Sequence, residues 1–358
     1  MKDLLLTEKI ANSVNIKGGN TYLVGGYVRD KFLGKENKDI DIEVHNIQPE
    51  ELKEVLNKLG RVETQGASFG VYTIHGYDVD IAQPRIENLT GRGHKDFEVT
   101  VDPFIGVVKA AKRRDFTINA IMENFITNEI VDPFNGLDDL RNGIIRHVDD
   151  KSFGEVPLRV LRAAQFSARF GFIILPETKT IMQKMDLSTL SSERIYGELQ
   201  KAMLKSKKPS IFFEVLREVN QLDIWFPELK NLIGCEQNAF YHPEGDVWNH
   251  TMEVIDNAAL VKNDTSNPEF FMMAALSHDL GKFLSCEIDS DGVAHSYQHE
   301  IIGIDEARRF VSRLTNNVAI NKYVCDMVKN HMRPHVAFNN KSRIKRTITK
   351  RKKFKYVK

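Results

Sequence analysis

Residues 22–44 read YLVGGYVRDKFLGKENKDIDIEV, and the first half of this stretch predicts a strand, a tight turn and a helix. Leu23–Val24 ends an apolar strand, Gly25 and Gly26 favour the turn, and the helix is expected from Tyr27. The N–H groups at the start of such a helix have no partners within the helix and can bind phosphate. This half therefore predicts a site for a phosphorylated ligand.

The second half of the stretch predicts a strand with acidic residues along one face. Asp39, Asp41 and Glu43 alternate with branched apolar residues, and successive side chains of a strand point to opposite faces. Asp39 and Asp41 are therefore expected close together, where two carboxylates can bind Mg²⁺. Two such ions can activate an attacking hydroxyl and neutralise a leaving pyrophosphate, which predicts nucleotidyl transfer. The alternative is a glycine turn followed by a solvated acidic strand.

The patterning of the 358 residues predicts an α+β protein of several domains. Strand-like and helix-like segments alternate up to about residue 148, which predicts a mixed sheet with helices. Helical periodicity takes over after that point and predicts an all-helical remainder. The expected division is a head at 1–148, a helical neck at 149–205, a helical body at 206–340 and a basic tail at 341–358.

Charge and composition limit the class of protein. The net charge is +1, but residues 341–358 carry ten Lys or Arg and no acid, so the remainder carries −9. Such a tail can bind RNA phosphates or act as a disordered solubilising end. Three cysteines without metal-type spacing suit a reducing compartment, and the longest apolar run, Phe270–Leu276, is too short to span a bilayer. We therefore expect a cytoplasmic protein that does not enter membranes.

Two further motifs lie in the predicted head. Residues 77–87, YDVDIAQPRIE, form a second predicted strand, in which Asp80 is either a third carboxylate beside the metals or an ordinary edge-strand acid. Residues 89–104 contain glycines and are expected to form a mobile loop. Residues 112–120, KRRDFTINA, begin with three bases, and an Arg side chain can meet phosphate oxygens in bidentate fashion. The alternative is a basic helix start that faces solvent.

The pattern GGxVRDxxLG…DxD of residues 25–41, with RRDFTINA at 113–120, resembles the polymerase-β-type nucleotidyltransferases. More narrowly, it resembles the class II tRNA nucleotidyltransferases (CCA-adding enzymes) and the bacterial poly(A) polymerases. With Asp80 as third carboxylate, the expected catalytic set is Asp39, Asp41 and Asp80. The resemblance implies a polymerase-β-type head and a nucleotide-binding set that comprises Gly25, Gly26, Arg29, Asp30, Arg114, Asp115 and Asn119.

The predicted neck carries a helix with a basic stripe, EVPLRVLRAAQFSARFGF at 155–172. Periodicity alone favours a solvated charged face. The segment is, however, similar to the family's EDPLRxLRAxRFAAxLGF, which implies that Arg159 and Arg162 read the incoming base. Val156 replaces the family's Asp, and Gln165 replaces an Arg. Because valine cannot accept a hydrogen bond from a base, the selectivity for particular nucleotides is the inherited property most open to change.

The predicted body carries a histidine cluster. Seven of the eleven histidines lie between His242 and His335, and residues 271–282 read FMMAALSHDLGK. This motif, with a histidine on an upstream helix, resembles the HD-domain metal-dependent phosphohydrolases. Imidazole and carboxylate ligands suit Ni, Mn, Zn or Fe with a bound water as nucleophile; the alternative is a set of buried polar groups. The expected ligands are His250, His278, Asp279, His299 and His331.

Together these features predict a template-independent tRNA nucleotidyltransferase that uses CTP and ATP to build or repair a 3′ CCA end. The 3′ hydroxyl of the tRNA would attack the α-phosphate and release pyrophosphate, and the histidine cluster would add a phosphohydrolase. Three alternatives stay open. They are an A-adding or relaxed RNA-tailing enzyme, an HD phosphohydrolase whose head only binds nucleotide or RNA, and an RNA-binding module without catalysis.

Overall fold

The computed structural model of the protein describes residues 2–64, 70–89 and 97–333. The chain divides into two compact units. The head unit comprises residues 1–159 and 173–185, and the body unit comprises residues 160–172 and 186–358. The predicted α+β class is confirmed, because the head unit contains a mixed sheet and helices predominate in the body unit.

The predicted division at residues 148, 205 and 340 remains a prediction. The two units part within the predicted neck, so that residues 149–159 and 173–185 group with the head and the other neck residues group with the body. The predicted tail at 341–358 lies outside the described residues.

The head unit is built around one large sheet. Its strands are β1 (Asn20–Val24), β2 (Ile40–His45), β3 (Val62–Thr64), β4 (Val71–Ile74), β5 (Val79–Ala82), β6 (Arg85–Leu89), β7 (Phe97–Val101), β8 (Met122–Asn124), β9 (Ile130–Val131), β10 (Ile144–Ile145) and β11 (Ile173–Ile174). Seven of these form the large sheet in the order β3-β4-β5-β2-β1-β8-β9, while β6 pairs with β7 and β10 pairs with β11. The helices are α1 (Lys2–Ile16), α2 (Gly26–Phe32), α3 (Pro49–Leu59), α4 (Val107–Lys112), α5 (Gly136–Asn142), α6 (Asp150–Gly154) and α8 (Pro176–Met182), and α7 (Leu158–Phe170) runs from the head unit into the body unit.

Strand β2 lies in the middle of the large sheet and positions the predicted site. It pairs antiparallel with β1 and parallel with β5. Ile40, Ile42 and Val44 are buried, as the alternation predicts, and burial of one such side chain contributes about 1.5–3 kcal/mol. Because these apolar side chains take one face of the strand, Asp41 is directed to the other.

The segment predicted to be a mobile loop, 89–104, is only partly a loop. Strands β6 and β7 pair antiparallel from Arg85↔Val101 to Leu89↔Phe97. The prediction was wrong for residues 97–101, where Phe97, Val99 and Val101 supply the alternating apolar residues of a strand. Residues 90–96, which include the glycines that suggested a loop, lie outside the described residues.

The body unit is mainly helical. Its elements are α9 (Ser192–Lys205), α10 (Ser210–Glu218), α11 (Pro227–Lys230), α12 (Val247–Val261), α13 (Pro268–Ser277), α14 (Lys282–Ser285), β12 (Cys286–Ile288), β13 (Ala294–Ser296), α15 (His299–Leu314) and α16 (Val318–Asn330). Phe212, Phe213, Phe226 and Phe310 are fully buried in its core and meet edge-to-face or tilted. Within the described residues, no helix combines the length and the apolar character that crossing a membrane requires.

The β12–β13 hairpin and the two-residue strand β11 depart from the prediction that the chain after residue 148 is all-helical. Strands β12 and β13 pair antiparallel, and the turn between them reads DSDG at 289–292. The Asp289 carboxylate accepts hydrogen bonds from the N–H groups of Asp291 and Val293 at 2.9 Å, and Gly292 has φ +77°. A glycine in the left-handed region and an aspartate that bonds its own turn are hairpin signals. The hairpin could therefore have been predicted from the DSDG sequence.

A glycine of the HDLGK motif allows α14 and α15 to approach closely. A Cβ atom on Gly281 would lie 2.2 Å from the His299 carbonyl oxygen and 2.6 Å from the Gly303 nitrogen. Any residue can adopt the backbone angles of Gly281 (φ −76°, ψ −17°). Glycine is required here only because there is no space for a Cβ atom. The approach carries the start of α15, and therefore His299, towards Asp279.

We expect Gly281→Ala to lower the free energy of unfolding by about 1–3 kcal/mol, because the added methyl group meets backbone atoms that cannot move aside. The matched control is Gly197→Ala in the middle of α9, where nothing lies within 4 Å of the added atom. The control should be neutral or stabilising by up to about 1 kcal/mol, since alanine is the better helix former. Urea unfolding of both variants measures this difference, and equal effects would contradict the explanation.

Candidate functional site

Two of the predicted catalytic carboxylates lie side by side on neighbouring strands. Asp41 on β2 and Asp80 on β5 are partners in parallel register, so they project from the same face of the sheet, about 4.8 Å apart across the strands. Asp39 immediately precedes β2, is exposed, and has its N–H bonded to Asn37 Oδ1 at 3.0 Å. Of the described residues, only groups in the body unit bring three ligand atoms within 4.8 Å of one another. Asp41 and Asp80 are therefore neighbours on one face of the sheet.

The charges of these carboxylates interact. Burial, the negative charge of Asp80 and that of Asp39 raise the pKa of Asp41 from 3.8 to about 6, against the opposing effect of Arg114. Burial and the charges of Asp78 and Asp39 also raise the pKa of Asp80. A group of carboxylates that resist ionising together is one that a divalent cation would stabilise. Oxygen donors of this kind fit Mg²⁺.

The turn between β1 and α2 closes over the same place. Gly25 has φ +65° and ψ −131°, a conformation that side-chain-bearing residues rarely adopt. A Cβ atom on Gly25 would lie 3.6 Å from Asp41 Oδ2 and 3.6 Å from Arg114 Nη1. A Cβ atom on Gly26 would lie 3.4 Å from Asn37 Nδ2. The glycine turn thus lies against a carboxylate and an arginine, and its binding of a nucleotide remains a prediction.

The sequence analysis missed the role of Glu43, which lies next after Asp41 on the same strand face. Its carboxylate is buried and accepts hydrogen bonds from Arg113 at 2.7 Å and Arg114 at 3.2 Å, and His45 Nε2 lies 3.0 Å away. Burial alone would raise its pKa, but the charges of Arg114 and Arg113 and the contact with His45 hold the pKa of Glu43 below its ordinary value. Glu43 therefore orients both arginines. The period-two alternation carried this signal, because it placed Glu43 on the face of Asp41.

Arg29 and Asp30 form a buried network, and nucleotide binding by them remains a prediction. Arg29 donates to Asp30 Oδ1 and to Asn119 Oδ1, at 2.6–2.8 Å and 2.7 Å. Asn119 in turn donates to Asp115 Oδ1 at 2.9 Å, and Asn37 donates to Asp30 Oδ2 at 2.9 Å. This chain of bonds fixes α2 to the 3-10 turn Thr117–Asn119. The four predicted residues are thus brought together, and the network holds the walls of the site in place.

The structure places the two predicted base-reading arginines in different surroundings. Arg159, in the head unit, is buried, donates to the carbonyl oxygens of Ser152 and Arg113, and stacks on Phe153 at 5.8 Å. It thereby holds the backbone beside Arg114. Arg162, in the body unit, lies over the Phe166 ring at 5.2 Å. Reading of the base by Arg159 and Arg162 remains a prediction.

The body unit brings all five predicted HD-site ligands together around Asp279. His250 Nε2 and His278 Nε2 lie 3.5 and 3.2 Å from Asp279 Oδ2. His299 Nε2 and His331 Nε2 lie 3.3 and 3.4 Å from Asp279 Oδ1. The five side chains therefore form two triads that share one buried carboxylate. Sequence analysis missed Lys282, whose Nζ lies 2.8 Å from Asp279 Oδ2 although it belongs to the HDLGK motif.

The ring nitrogens of this cluster are arranged for metal binding. His278, His299 and His331 each place Nδ1 2.7–2.8 Å from the carbonyl oxygen three residues earlier. Each Nδ1 therefore carries a proton, so that a ring that gives up its second proton to a metal offers the lone pair of Nε2. The Nε2 atoms then face one another at 3.3 Å (His250 and His278) and 3.1 Å (His299 and His331). Two facing lone pairs repel unless a cation lies between them, so this donor set fits a transition metal.

Asp279 supplies the negative charge of the cluster. Burial alone would raise its pKa, but His278, His299 and His331 hold the pKa of Asp279 well below its ordinary value. A cavity of about 590 Å³ opens against the rings of His278 and His331 and is otherwise lined mainly by apolar residues of α12, α13 and α16. The histidine cluster thus borders a space large enough for the organic part of a small ligand.

Comparison with protein families agrees with this geometry. Residues 21–146 match the poly A polymerase head domain, residues 171–233 match a probable RNA and SrmB binding site of polymerase A, and residues 247–354 match the HD domain. The carboxylate site lies within the first match, and the described cluster residues lie within the third.

Among solved structures, the fold is similar to that of a CCA-adding enzyme in its apo form II. The TM-score is 0.61 at 24% identity, and the alignment covers 92% of this chain and 79% of the other. A Thermotoga maritima CCA-adding enzyme complexed with tRNA aligns with TM-score 0.55 at 21% identity, over 91% of this chain and 78% of the other. At these identities the likeness shows a shared fold.

Curated relatives are more similar in sequence. The multifunctional CCA protein of Mannheimia succiniciproducens is 39% identical over 332 residues, which are 90% of this chain and 76% of the relative. That of Haemophilus ducreyi is 38% identical over 321 residues, which are 88% of this chain and 76% of the relative. With this identity over most of both sequences, and with both sites carrying the expected residues, the chain belongs to the family of multifunctional CCA proteins.

Proposed function

We propose that the protein is a template-independent tRNA nucleotidyltransferase that uses CTP and ATP to build or repair the tRNA 3′ CCA end. The observation that carries the proposal is the parallel register of Asp41 and Asp80 beside Gly25 and Arg114. Relatives named multifunctional CCA protein, and solved CCA-adding enzymes in complex with tRNA, CTP and ATP, support the choice of substrates. An enzyme that acts on tRNA works where tRNA is, so the cytoplasm is the compartment we propose.

In the head unit, the chain's own residues would bind and orient the reactants. Asp39, Asp41 and Asp80 would hold Mg²⁺, which when bound supplies the charge that activates the 3′ hydroxyl and neutralises the leaving pyrophosphate. Arg114 would bind the triphosphate, and Glu43 would fix the direction of its guanidinium. Gly25 leaves space for the phosphates because it carries no Cβ atom.

Base selection is the step in which this chain departs from its family pattern. Val156 is half-buried, and its carbonyl oxygen accepts the N–H of Arg159. Its isopropyl group offers no acceptor for the exocyclic amine that cytosine and adenine share. This supports the alternative of an A-adding or relaxed RNA-tailing enzyme within the same reaction class.

In the body unit, we propose a metal-dependent phosphohydrolase. His250 and His278 with one oxygen of Asp279, and His299 and His331 with the other, would hold Ni, Mn, Zn or Fe. A bound transition metal supplies an activated water for hydrolysis. Lys282, beside the same carboxylate, would supply a positive charge for the phosphate group. The neighbouring cavity would receive the organic part of the phosphoester.

The two activities should be separable by single substitutions. Asp41→Asn should lower Mg²⁺-dependent incorporation of CMP and AMP by about a thousandfold or more, because several kcal/mol of charge stabilisation is lost. His278→Ala should abolish hydrolysis of phosphoesters and leave incorporation unchanged. Labelled-nucleotide assays on tRNA ending in the discriminator base, C, CC and CCA measure the first activity. Retention of incorporation by Asp41→Asn would rule out the proposed head mechanism.

Magnesium binding in the head should depend on pH. The pKa of Asp41 is raised from 3.8 to about 6 in the folded metal-free protein. The proton on Asp41 therefore adds stability below about pH 4 that is lost as the pH rises through 6. Magnesium requires the ionised form, so its apparent affinity should fall by about tenfold per pH unit below pH 6.

Thermal unfolding between pH 5 and pH 8, with and without Mg²⁺, measures this effect. The increase in Tm caused by Mg²⁺ should grow from pH 5 to pH 7 in the native protein. Asp41→Asn is the control and should show a smaller increase with little dependence on pH. An increase in Tm that is constant across this range in the native protein would contradict the assignment of Asp41.

Restoring a carboxylate at position 156 should sharpen base selection. Val156→Asp introduces an acceptor for the shared amine, and a good base contact contributes about 1–3 kcal/mol of discrimination. We therefore expect GTP and UTP incorporation to fall by about tenfold or more relative to CTP and ATP. Val156→Leu, which adds no acceptor, is the matched control. Equal nucleotide preference in the two variants would show that this position does not read the base.

A further inference from the structure

Three histidines of the proposed metal cluster donate their Nδ1 proton to a backbone carbonyl oxygen, but His250 cannot do so. His278 and His331 follow the last residues of α13 and α16, and His299 opens α15, so the carbonyl oxygen three residues earlier is available to each Nδ1. His250 lies inside α12. The carbonyl oxygens that precede it are already engaged: Val247 accepts from Thr251 Oγ1 at 2.8 Å, and Asp246 accepts the His250 N–H at 3.1 Å.

The carboxylate of Glu244 takes the place of a backbone carbonyl oxygen as the acceptor for His250 Nδ1. Glu244 Oε1 lies 2.6 Å from His250 Nδ1 and 2.9 Å from His242 Nδ1. The carboxylate is half-buried, and the rings of His242 and His250 meet edge to face at 4.8 Å. Because a carboxylate accepts hydrogen bonds and never donates them, this contact places the proton on His250 Nδ1. The lone pair of the neutral His250 ring is then on Nε2, which faces Asp279 and His278.

Hydrogen bonds through Gln237 connect the loop that carries Glu244 to the cluster. Gln237 Nε2 donates to the carbonyl oxygens of Gly245 and Asp246 at 3.1 Å, and Lys282 donates to Gln237 Oε1 at 3.0 Å. Lys282 is also the cation beside Asp279. Gly245 has φ +107°, and a Cβ atom there would lie 3.2 Å from Asn249 Nδ2. The turn is therefore shaped by glycine so that the Glu244 side chain faces the helix.

We propose that Glu244 is the positioning residue of the body metal centre, which holds His250 in the ligand tautomer without binding the metal itself. The inference rests on the proposed metal site and goes beyond it, because it assigns a function to a carboxylate outside the ligand set. Glu244 makes the His250 imidazole a stronger electron donor than the three rings that are bonded to neutral carbonyl groups. His242 shares the carboxylate and limits its rotation.

Glu244, His242 and His250 could instead be a third metal-binding triad, since their ligand atoms lie within 4.8 Å of one another. Such a triad would require His250 to bind through Nδ1 while its Nε2 faces the other two triads. One imidazole cannot offer both nitrogens to metals as a neutral ring, because one of them carries the proton. The positioning role is therefore the one that the geometry favours.

Titration of the full chain with Co²⁺, after removal of metals by a chelator, tests the proposal. Glu244→Gln keeps an acceptor oxygen and loses the charge, and we expect Co²⁺ to bind about 10–100-fold more weakly with unchanged stoichiometry. Glu244→Ala loses both the acceptor oxygen and the charge, and it should bind Co²⁺ more weakly still. The matched control is Asp289→Asn, which removes the carboxylate 2.8 Å from His295 Nε2 on the exposed hairpin and should leave Co²⁺ binding unchanged.

The tautomer can be observed without metal. Long-range ¹H–¹⁵N spectra of the metal-free protein should show the proton on Nδ1 of His250 in the native chain and on Nε2 in a large fraction of Glu244→Ala. A merely structural role of Glu244 would not move this signal. Gly245→Ala should show the same shift, because it misplaces Glu244 while leaving its charge present.

Each outcome decides a separate point. Unchanged Co²⁺ affinity in Glu244→Ala, or loss of one bound ion per chain, would overturn the positioning role; the second result would make Glu244 a ligand. Native protein that binds Co²⁺ with the expected sensitivity to Glu244, but hydrolyses no phosphoester, would remove the proposed phosphohydrolase and leave the positioning role intact. Native protein that binds no Co²⁺ would overturn both.

Discussion

The parallel pairing of β2 with β5 is the constraint on which the head site depends. In parallel register, residues that face each other across two strands lie on the same side of the sheet, so Asp41 and Asp80 are forced together by backbone hydrogen bonds. Their mutual repulsion is balanced by the burial of Ile40, Ile42 and Ile81 on the opposite face. Packing of the apolar core therefore keeps the carboxylates of Asp41 and Asp80 closer together than two free carboxylates would lie in solution.

The same strand also supplies the negative charge that orients two arginines beside the proposed site. Glu43 lies two residues beyond Asp41 and is buried with Arg113 and Arg114. A buried carboxylate between two guanidinium groups is stable only while both remain, and each guanidinium loses rotational freedom in return. Strand β2 thus carries, two residues apart on one face, Asp41, which we propose as a metal ligand, and Glu43, which orients two arginines.

Much of this arrangement could be predicted from the sequence, and the failures have physical causes. Period-two alternation placed Asp41 correctly, and the HDLGK motif with its distant histidines predicted a cluster that the structure assembles completely. Nucleotide binding by Arg29 and Asp30 remains a prediction, and the hydrogen bonds that join them to each other and to Asn119 depend on packing that spacing alone cannot reveal. The β12–β13 hairpin was missed although its DSDG turn is an ordinary signal, since helical periodicity on both sides dominated the interpretation.

The two proposed metal sites differ in how their side chains are held. In the head, Asp41 and Asp80 project from one face of neighbouring strands, and carboxylate oxygens are typical ligands of the Mg²⁺ that we propose there. The body ligands converge on both oxygens of one buried carboxylate, and hydrogen bonds at Nδ1 fix the rings. Three rings use backbone carbonyl groups at helix ends, whereas His250, inside a helix, needs Glu244. Helix geometry therefore decides which histidine requires a side-chain partner, and substitution of that partner would change the electron donation of the cluster without removing a proposed ligand.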